Sequence, residues 1–474
     1  MDEVGRQASI FKQASKAFAW LSHLHAQELG QHYHVLENLG PQLDVGPDEA
    51  NEERCRVIYR STAYILSDPW FTSLWTLQEL FMRSDALILS KEGVPVPTTS
   101  NHPLHVEMIA NLYQNMMSGL RYRADLEDLT TAEESEATVS ISQMIGHHRA
   151  IKELVNQSGL LHSFDTSPNA QYGCAKFRCT EYAEDRVYAI MQIYNIRVGQ
   201  SVRPSDRPSV NELTEEFGLA INTRSALIGQ TFTHTGLGAK PGISWCITEN
   251  SETPNKSLSN MRTTSKLYKD PLSGLVMAMG HCCVFKDFFA TYVATLRDDF
   301  RMIDFHLDQP FRDTVDPSDS LLRLRRHGYR PHPDSGWQEY GERIIERCSG
   351  DSDLLVMILG DTGDTTVQST SYHGLLVRKD PSSKWPQIYD GNKEGIDTYQ
   401  RIGLCFWTTS RSSDRSLDDH GSLPENSRLS SRFHDRVYET GSGSWEANRS
   451  NASEQGCVES ISQLFTPISR IALM

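Results

Sequence analysis

The stretch from Thr62 to Gly93, TAYILSDPWFTSLWTLQELFMRSDALILSKEG, restricts the fold more than any other part of the chain. Asp68 is a residue type that caps helix N-termini, Pro69 suits the first helical position, and an apolar-periodic run continues to Met82. Ser84 and Asp85 interrupt that run, and Ala86–Leu89 reads as a short buried strand ending before Gly93. A helix that feeds directly into a buried strand is half of a parallel α/β unit. The same order stands at the start of the chain, with a helix expected over Asp2–Ser15 and a buried strand over Ala17–Leu21.

Unrolled at about 100° per residue, the helix after Asp68 gathers Trp70, Phe71, Leu74, Trp75, Leu77, Gln78, Phe81 and Met82 on one broad face. Thr72, Thr76, Glu79 and Arg83 fall on the other, with Glu79 beside Trp75 at the seam. Two readings of Glu79 follow. A carboxylate against an aromatic wall is partly desolvated and suited to acid, base or electrostatic work. An exposed pair with Arg83, one turn on, is worth only a few tenths of a kcal/mol.

The rest of the chain reads as further helices and then a mixed region. Helices are expected over Leu24–Leu39, Glu52–Leu66, Pro103–Tyr122, Val139–Val155, Asp185–Tyr194, Asn211–Ile221 and Ser335–Cys348. Strands are expected over Ile243–Ile247, Leu275–Phe285, Leu354–Gly360, Gly374–Arg378 and Arg401–Trp407, the last three forming a small antiparallel sheet. From Thr408 to about Ser462 the chain is rich in Ser, Asp, Arg and Gly, too poor in apolar groups to offset its ordering entropy, and disorder is expected.

Charge and composition narrow the function classes. A net charge of −15 over 474 residues argues against a general binder of nucleic acid or anionic membrane. No apolar run approaches the roughly 20 residues that span a bilayer, and the N-terminus lacks the basic and apolar regions of a secretory signal. The nine cysteines are scattered and form no C-x-x-C, as expected of free thiols in a reducing, cytoplasmic setting.

Several short motifs carry little. His23-x-His25 and His32-x-His34 would point apart on a helix, which disfavours a shared metal. His147–His148 reads as a solvated helix pair, Gly360–Asp364 as a hairpin turn, and His281-Cys282-Cys283 as buried thiols in a strand.

One resemblance adds what patterns cannot. Glu3, Gln7, the run Ile10–Ala17 and Phe18-Ala19-Trp20-Leu21 resemble the middle of the fungal heterokaryon incompatibility (HET) domain, with Ser22 where a Gly is usual. Pro69–Glu79 resembles the signature that closes that domain, with Ser73-Leu74 in place of the commoner Arg-Val. Arg178-Cys179-Thr180 and Asp185–Ile190 look like the segment that follows it. That family is associated with non-self recognition and regulated cell death, and is considered distantly similar to Toll/interleukin-receptor (TIR) domains. Ser67, Trp70, Ser73, Trp75 and Glu79 match the spacing of the TIR signature position by position, and Gln78 belongs to the HET one. In TIR members that cleave NAD, the matching Glu is catalytic.

The resemblance therefore implies a partial, TIR-like parallel sheet flanked by helices over residues 1–93, without the family's opening strand, first helix and second strand. A helical extension (94–204), an α+β region (205–407) and a disordered tail (408–474) would follow. It implies a signalling or interaction module with protein partners in a cell-death pathway, among which further copies of the same chain are one alternative. The alternatives are a hydrolase taking NAD as substrate, with Glu79 catalytic and no bound cofactor, and an inactive remnant. A half α/β unit would also leave a hydrophobic sheet edge uncovered.

Overall fold

Local sequence signals account for most element boundaries. The computed structural model describes residues 7–42, 49–127, 136–163, 167–199, 208–235, 243–248, 251–254, 258, 261–295, 303–315, 336–349, 354–361, 369–385, 396–410 and 466–473. In chain order the N-terminal elements are α1 (Gln7–Gln13), β1 (Phe18–Trp20), α2 (Ala26–Leu39), α3 (Glu49–Leu66), α4 (Leu74–Met82) and β2 (Leu87–Leu89). Next come α5 (Val106–Glu127), α6 (Glu136–Ser158), α7 (Pro168–Gly173), α8 (Asp185–Tyr188), α9 (Val210–Arg224) and α10 (Ala226–Gln230). Ser209 starts α9 through a reciprocal capping box with Glu212, which satisfies two of the free donors at the helix start.

β1 and β2 pair in parallel, Phe18 with Leu87, Ala19 with Ile88 and Trp20 with Leu89. The outer edge of β2 is covered by the following loop, where Ile88 N donates to Leu104 O at 2.9 Å. One hydrophobic core runs from Ala19 to Ile247 and draws on residues on both sides of position 93. Val96, Leu104, Ile109 and Tyr113 are as deeply buried in it as Leu74 and Leu77.

The second region is a sheet of eight strands. After the short pair β3 (Thr233–His234) and β4 (Ser251–Glu252) come β5 (Arg262–Thr263), β6 (Lys266–Lys269), β7 (Val276–Val284), α11 (Phe285–Thr295), β8 (Asp304–Leu307) and α12 (Gln309–Val315). They are followed by α13 (Gly336–Ser349), β9 (Leu354–Asp361), β10 (Ser369–Trp385), β11 (Ile396–Ser410) and β12 (Thr466–Leu473). β9, β10 and β11 are antiparallel neighbours, β11 pairs in parallel with β12, β12 runs antiparallel to β7, and β7 pairs antiparallel back onto β9. The pairing closes on itself, which removes most open edges.

Alternation places successive residues on opposite faces of this sheet. Leu354 and Val356 pack with Phe285, Phe288, Ile344 and Trp407, whereas Leu355, Met357 and Leu359 pack with Ala226, Leu227 and Trp245. Gly403 stands where β8 crosses β11 with φ +156°, and a Cβ there would lie 2.4 Å from His306 O.

Four expectations need correction. The helix expected from Asp68 to Met82 is two pieces, a single tight turn over Pro69–Phe71 and α4, broken at Thr72–Ser73. The helix expected over Asp185–Tyr194 stops at Tyr188 and continues as turns to Asn195, which adopts φ +52°. Ile243–Ile247 is a buried turn rather than a strand, because Asn222 and Gln230 side chains donate to Trp245 O in place of a strand partner. The tail expected to be unstructured carries β11 to Ser410 and supplies β12, whose backbone pairs with β7. Residues 411–465 lie outside the described residues.

Candidate functional site

The site grows from the break before α4. Asp68 is fully buried, its Oδ1 accepts from Trp70 N at 2.9 Å, and its Oδ2 accepts from His23 N at 2.8 Å. One carboxylate therefore caps the turn and ties it to the segment leaving β1. The helix breaks at Thr72 and Ser73, where a distant segment takes the backbone groups on either side, Thr72 O and Leu74 N. Cys179 N donates to Thr72 O at 2.7 Å, and Leu74 N donates to Cys179 O at 2.9 Å.

Arg178 completes the anchor. Its guanidinium is 1 % exposed, donates to Trp70 O at 3.0 Å and Ser73 O at 3.1 Å, and also donates to Ser158 O. Burial pulls it down to about 10 from the usual arginine range, with the Cys174 sulfur opposing the shift. The single Thr76 hydroxyl proton is shared between the same two carbonyls, Trp70 O and Ser73 O, the latter at 2.9 Å, while its oxygen accepts from Arg178 at 3.4 Å.

Glu79 sits half-buried on α4. Burial raises its carboxyl above the usual glutamate range, and the Trp70 indole pulls partway back. The Trp70 Nε1 proton is itself buried without a partner of good hydrogen-bond geometry, so the dipole of the ring edge acts on the carboxyl without a formed bond. The pair expected between Glu79 and Arg83 is absent. Arg83 turns away, bonding Asp85 through Nε at 2.7 Å and the carbonyls of Phe11 and Ala14 through one terminal nitrogen at 2.9 and 2.7 Å. Asp85 together with two carbonyls at the end of α1 and just beyond it offers Arg83 more charged hydrogen bonds than one half-buried carboxylate does.

The other motif residues are divided among different tasks. Ser67 is exposed and its hydroxyl donates back to Tyr64 O at 2.7 Å. Ser73 forms an isolated bridge with Cys179 through its backbone. Trp75 Nε1 donates to Asp185 Oδ2 at 3.0 Å, and that oxygen also accepts from Thr180 at 2.8 Å. Gln78 is buried and donates to Gln7 Oε1 at 3.3 Å, its own Oε1 lacking a partner. Trp70 is thus brought to Glu79, Trp75 and Gln78 tie α4 to α8 and α1, and Ser67 only closes the last turn of α3. Asp68 and Arg178 do more here than the helical pattern revealed. Arg178 stands 105 residues from Ser73 in the chain, a separation no local signal bridges.

The discarded motifs find ordinary places, with one exception. His32 bonds Ser61 and stacks on Tyr64, His34 faces Asn38, and His25 meets Glu92. Among the described residues no three His, Cys, Asp or Glu side chains converge as a metal site. Cys282 and Cys283 are buried in β7, their thiols pushed up to about 12 and about 11 by burial. The exception is His148, which is buried against Cys55 and not solvated. Among the described residues no helix is long and apolar enough to cross a membrane. No family model matches the chain, and neither a curated protein nor a solved structure does.

Proposed function

We propose that this chain is a cytoplasmic signalling and interaction module of the fungal HET type, recruiting a protein partner in a cell-death pathway through β1. The observation that carries the reading is the outer side of that strand. Leu87 N donates to Ala17 O at 2.9 Å and Leu21 N donates to Leu89 O at 2.8 Å, so odd-numbered backbone groups face β2. Those of Phe18 and Trp20 point away, where no described strand meets them. Both side chains are exposed, at 53 % and 59 %, and Ile10 of α1 is exposed at 59 %. An extended peptide segment of a partner would satisfy the free backbone groups and cover the two rings.

A second reading rests on Glu79. A half-buried carboxyl of raised basicity beside an indole suits stabilisation of positive charge as the nicotinamide–ribose bond of NAD breaks. Under this reading Asp68 and Arg178 are positioning residues, holding Trp70 at its N–H and its C=O.

One experiment separates the readings. The full chain is induced in fungal cells, and viability and NAD content are followed beside Trp20→Asp and Glu79→Ala. Killing that Trp20→Asp abolishes and Glu79→Ala spares, with NAD unchanged, is the expected result. Loss of killing in Glu79→Ala, with NAD consumed only by the unaltered chain, favours the hydrolase. An unaltered chain that neither kills nor lowers NAD overturns both.

A further inference from the structure

The interface between α3 and α6 holds a thiol–imidazole pair that neither reading uses. Cys55 Sγ lies 3.1 Å from His148 Nε2, brought there from 93 residues away. Cys55 is 1 % exposed and His148 is 9 % exposed, so the pair lies just beneath the surface. α6 separates its two histidines, placing His147 against the Tyr59 ring at 5.9 Å and turning His148 inward. Cys174, also buried, donates to Ala170 O at 3.6 Å, and five other buried thiols contrast with Cys55. Apolar surroundings push Cys282, Cys283 and Cys348 up to about 12, 11 and 11, and raise Cys246 and Cys405 further. Cys179 is exposed, with no side-chain hydrogen bond. Cys55 has a base in direct contact, the arrangement that turns a thiol into a nucleophile.

We propose that Cys55 is a peroxide-reactive thiol activated by His148, a site of reversible oxidation between α3 and α6. The thiol proton passes to Nε2 of the neutral imidazole, leaving a thiolate. The sulfur attacks one oxygen of hydrogen peroxide, forming an S–O bond as the O–O bond breaks. The departing hydroxide takes the proton back from the imidazolium and leaves as water. Sulfur is oxidised by two electrons to the sulfenic acid, peroxide is reduced, and His148 returns to its starting form. The depth of the pair selects for a small neutral oxidant over a bulky or charged one. Oxidation also inserts an oxygen into a packed helix interface, where one extra heavy atom is strongly felt.

The test uses the full chain in its native state. Protein is exposed to hydrogen peroxide for graded times, the reaction is stopped with catalase, and the chain is unfolded in dimedone and then in a maleimide. Mass spectrometry of the peptides reads each cysteine. Cys55 should carry dimedone before the exposed Cys179 does, whereas a bulky anionic disulfide reagent on the native chain should modify Cys179 and spare Cys55. In His148→Gln, which keeps a polar partner but no base, oxidation of Cys55 should slow by about tenfold or more. Cys55 that remains reduced while Cys179 oxidises overturns the proposal, as does an unchanged rate in a folded His148→Gln. Should that variant not fold, the order of oxidation in the unaltered chain decides alone.

Discussion

Among the described residues, Arg178 and Arg401 are the largest fully buried side chains, and they are held in opposite ways. Arg401, on β11, bonds Asp308 Oδ2 at 3.1 Å, the carbonyl and side-chain oxygens of Gln230 at 3.1 and 2.8 Å, and Phe232 O, with its guanidinium carbon 4.1 Å from the Phe232 ring centre. Asp308 in turn accepts from His234 N at 2.9 Å. Arg178 has carbonyl acceptors and no carboxylate, and two of those carbonyls have a second donor in Thr76. The contrast shows what each anchor is for. A buried ion pair makes each partner hostage to the other, because losing one leaves a bare charge in low dielectric. A guanidinium spread over carbonyls sets backbone direction and leaves only neutral groups behind when it is removed.

Asp308→Ala strands the Arg401 charge and should cost about 3–5 kcal/mol in denaturant unfolding, the largest loss expected. Arg178→Met should cost less, about 1–3 kcal/mol, because it strands no charge and the Thr76 hydroxyl still donates to the Trp70 and Ser73 carbonyl pair, leaving Ser158 O orphaned. Equal losses in the two variants would break the contrast.

Acid provides a third measurement. Burial holds the His234 imidazole below its usual 6.5, with Arg401 also lowering it and Asp308 opposing. The unfolded chain then binds a proton that the folded chain resists, so stability is full above 6.5 and is lost as pH falls through that value toward the folded pKa. His234→Gln should flatten this limb in thermal melts taken across that range. Its Nε2 contact with Ser244 O, 2.9 Å, can be kept by the amide.

The smallest effect is expected at Glu79, where the sign reverses. Its folded pKa is raised above the usual 4.5, so its contribution is full below 4.5 and is lost as pH rises through the raised value. Glu79→Gln should be slightly more stable than the unaltered chain at neutral pH and equal to it in acid. A destabilised Glu79→Gln at neutral pH would mean that the carboxylate is paired and not merely desolvated.

Much of the scaffold around the site was legible in the residues. Asp68 and Pro69 announced a helical start, and Leu87–Leu89 and Phe18–Trp20 announced strands that the structure pairs in parallel, but of β1 only Ala19 is buried, because no described strand covers its outer side. The partial desolvation of Glu79 was also one of two readings available from the periodicity. The apolar period does not run as one helix from Asp68 to Met82. The break at Thr72–Ser73 puts Trp70 before α4, where it meets Glu79 from a direction that no single helical wheel allows.

The division has a physical basis. Capping, periodicity and composition act over a few residues, so the chain alone determined where several helices start and which strands are apolar. Hydrogen bonds between residues a hundred positions apart have no local signature. Tertiary structure therefore decided the break before α4, through Arg178 and Cys179, and the turning of Arg83 away from Glu79 toward α1. It also decided the burial of His148 on Cys55 and the closure of the sheet by β12, whose neighbours lie far away in sequence.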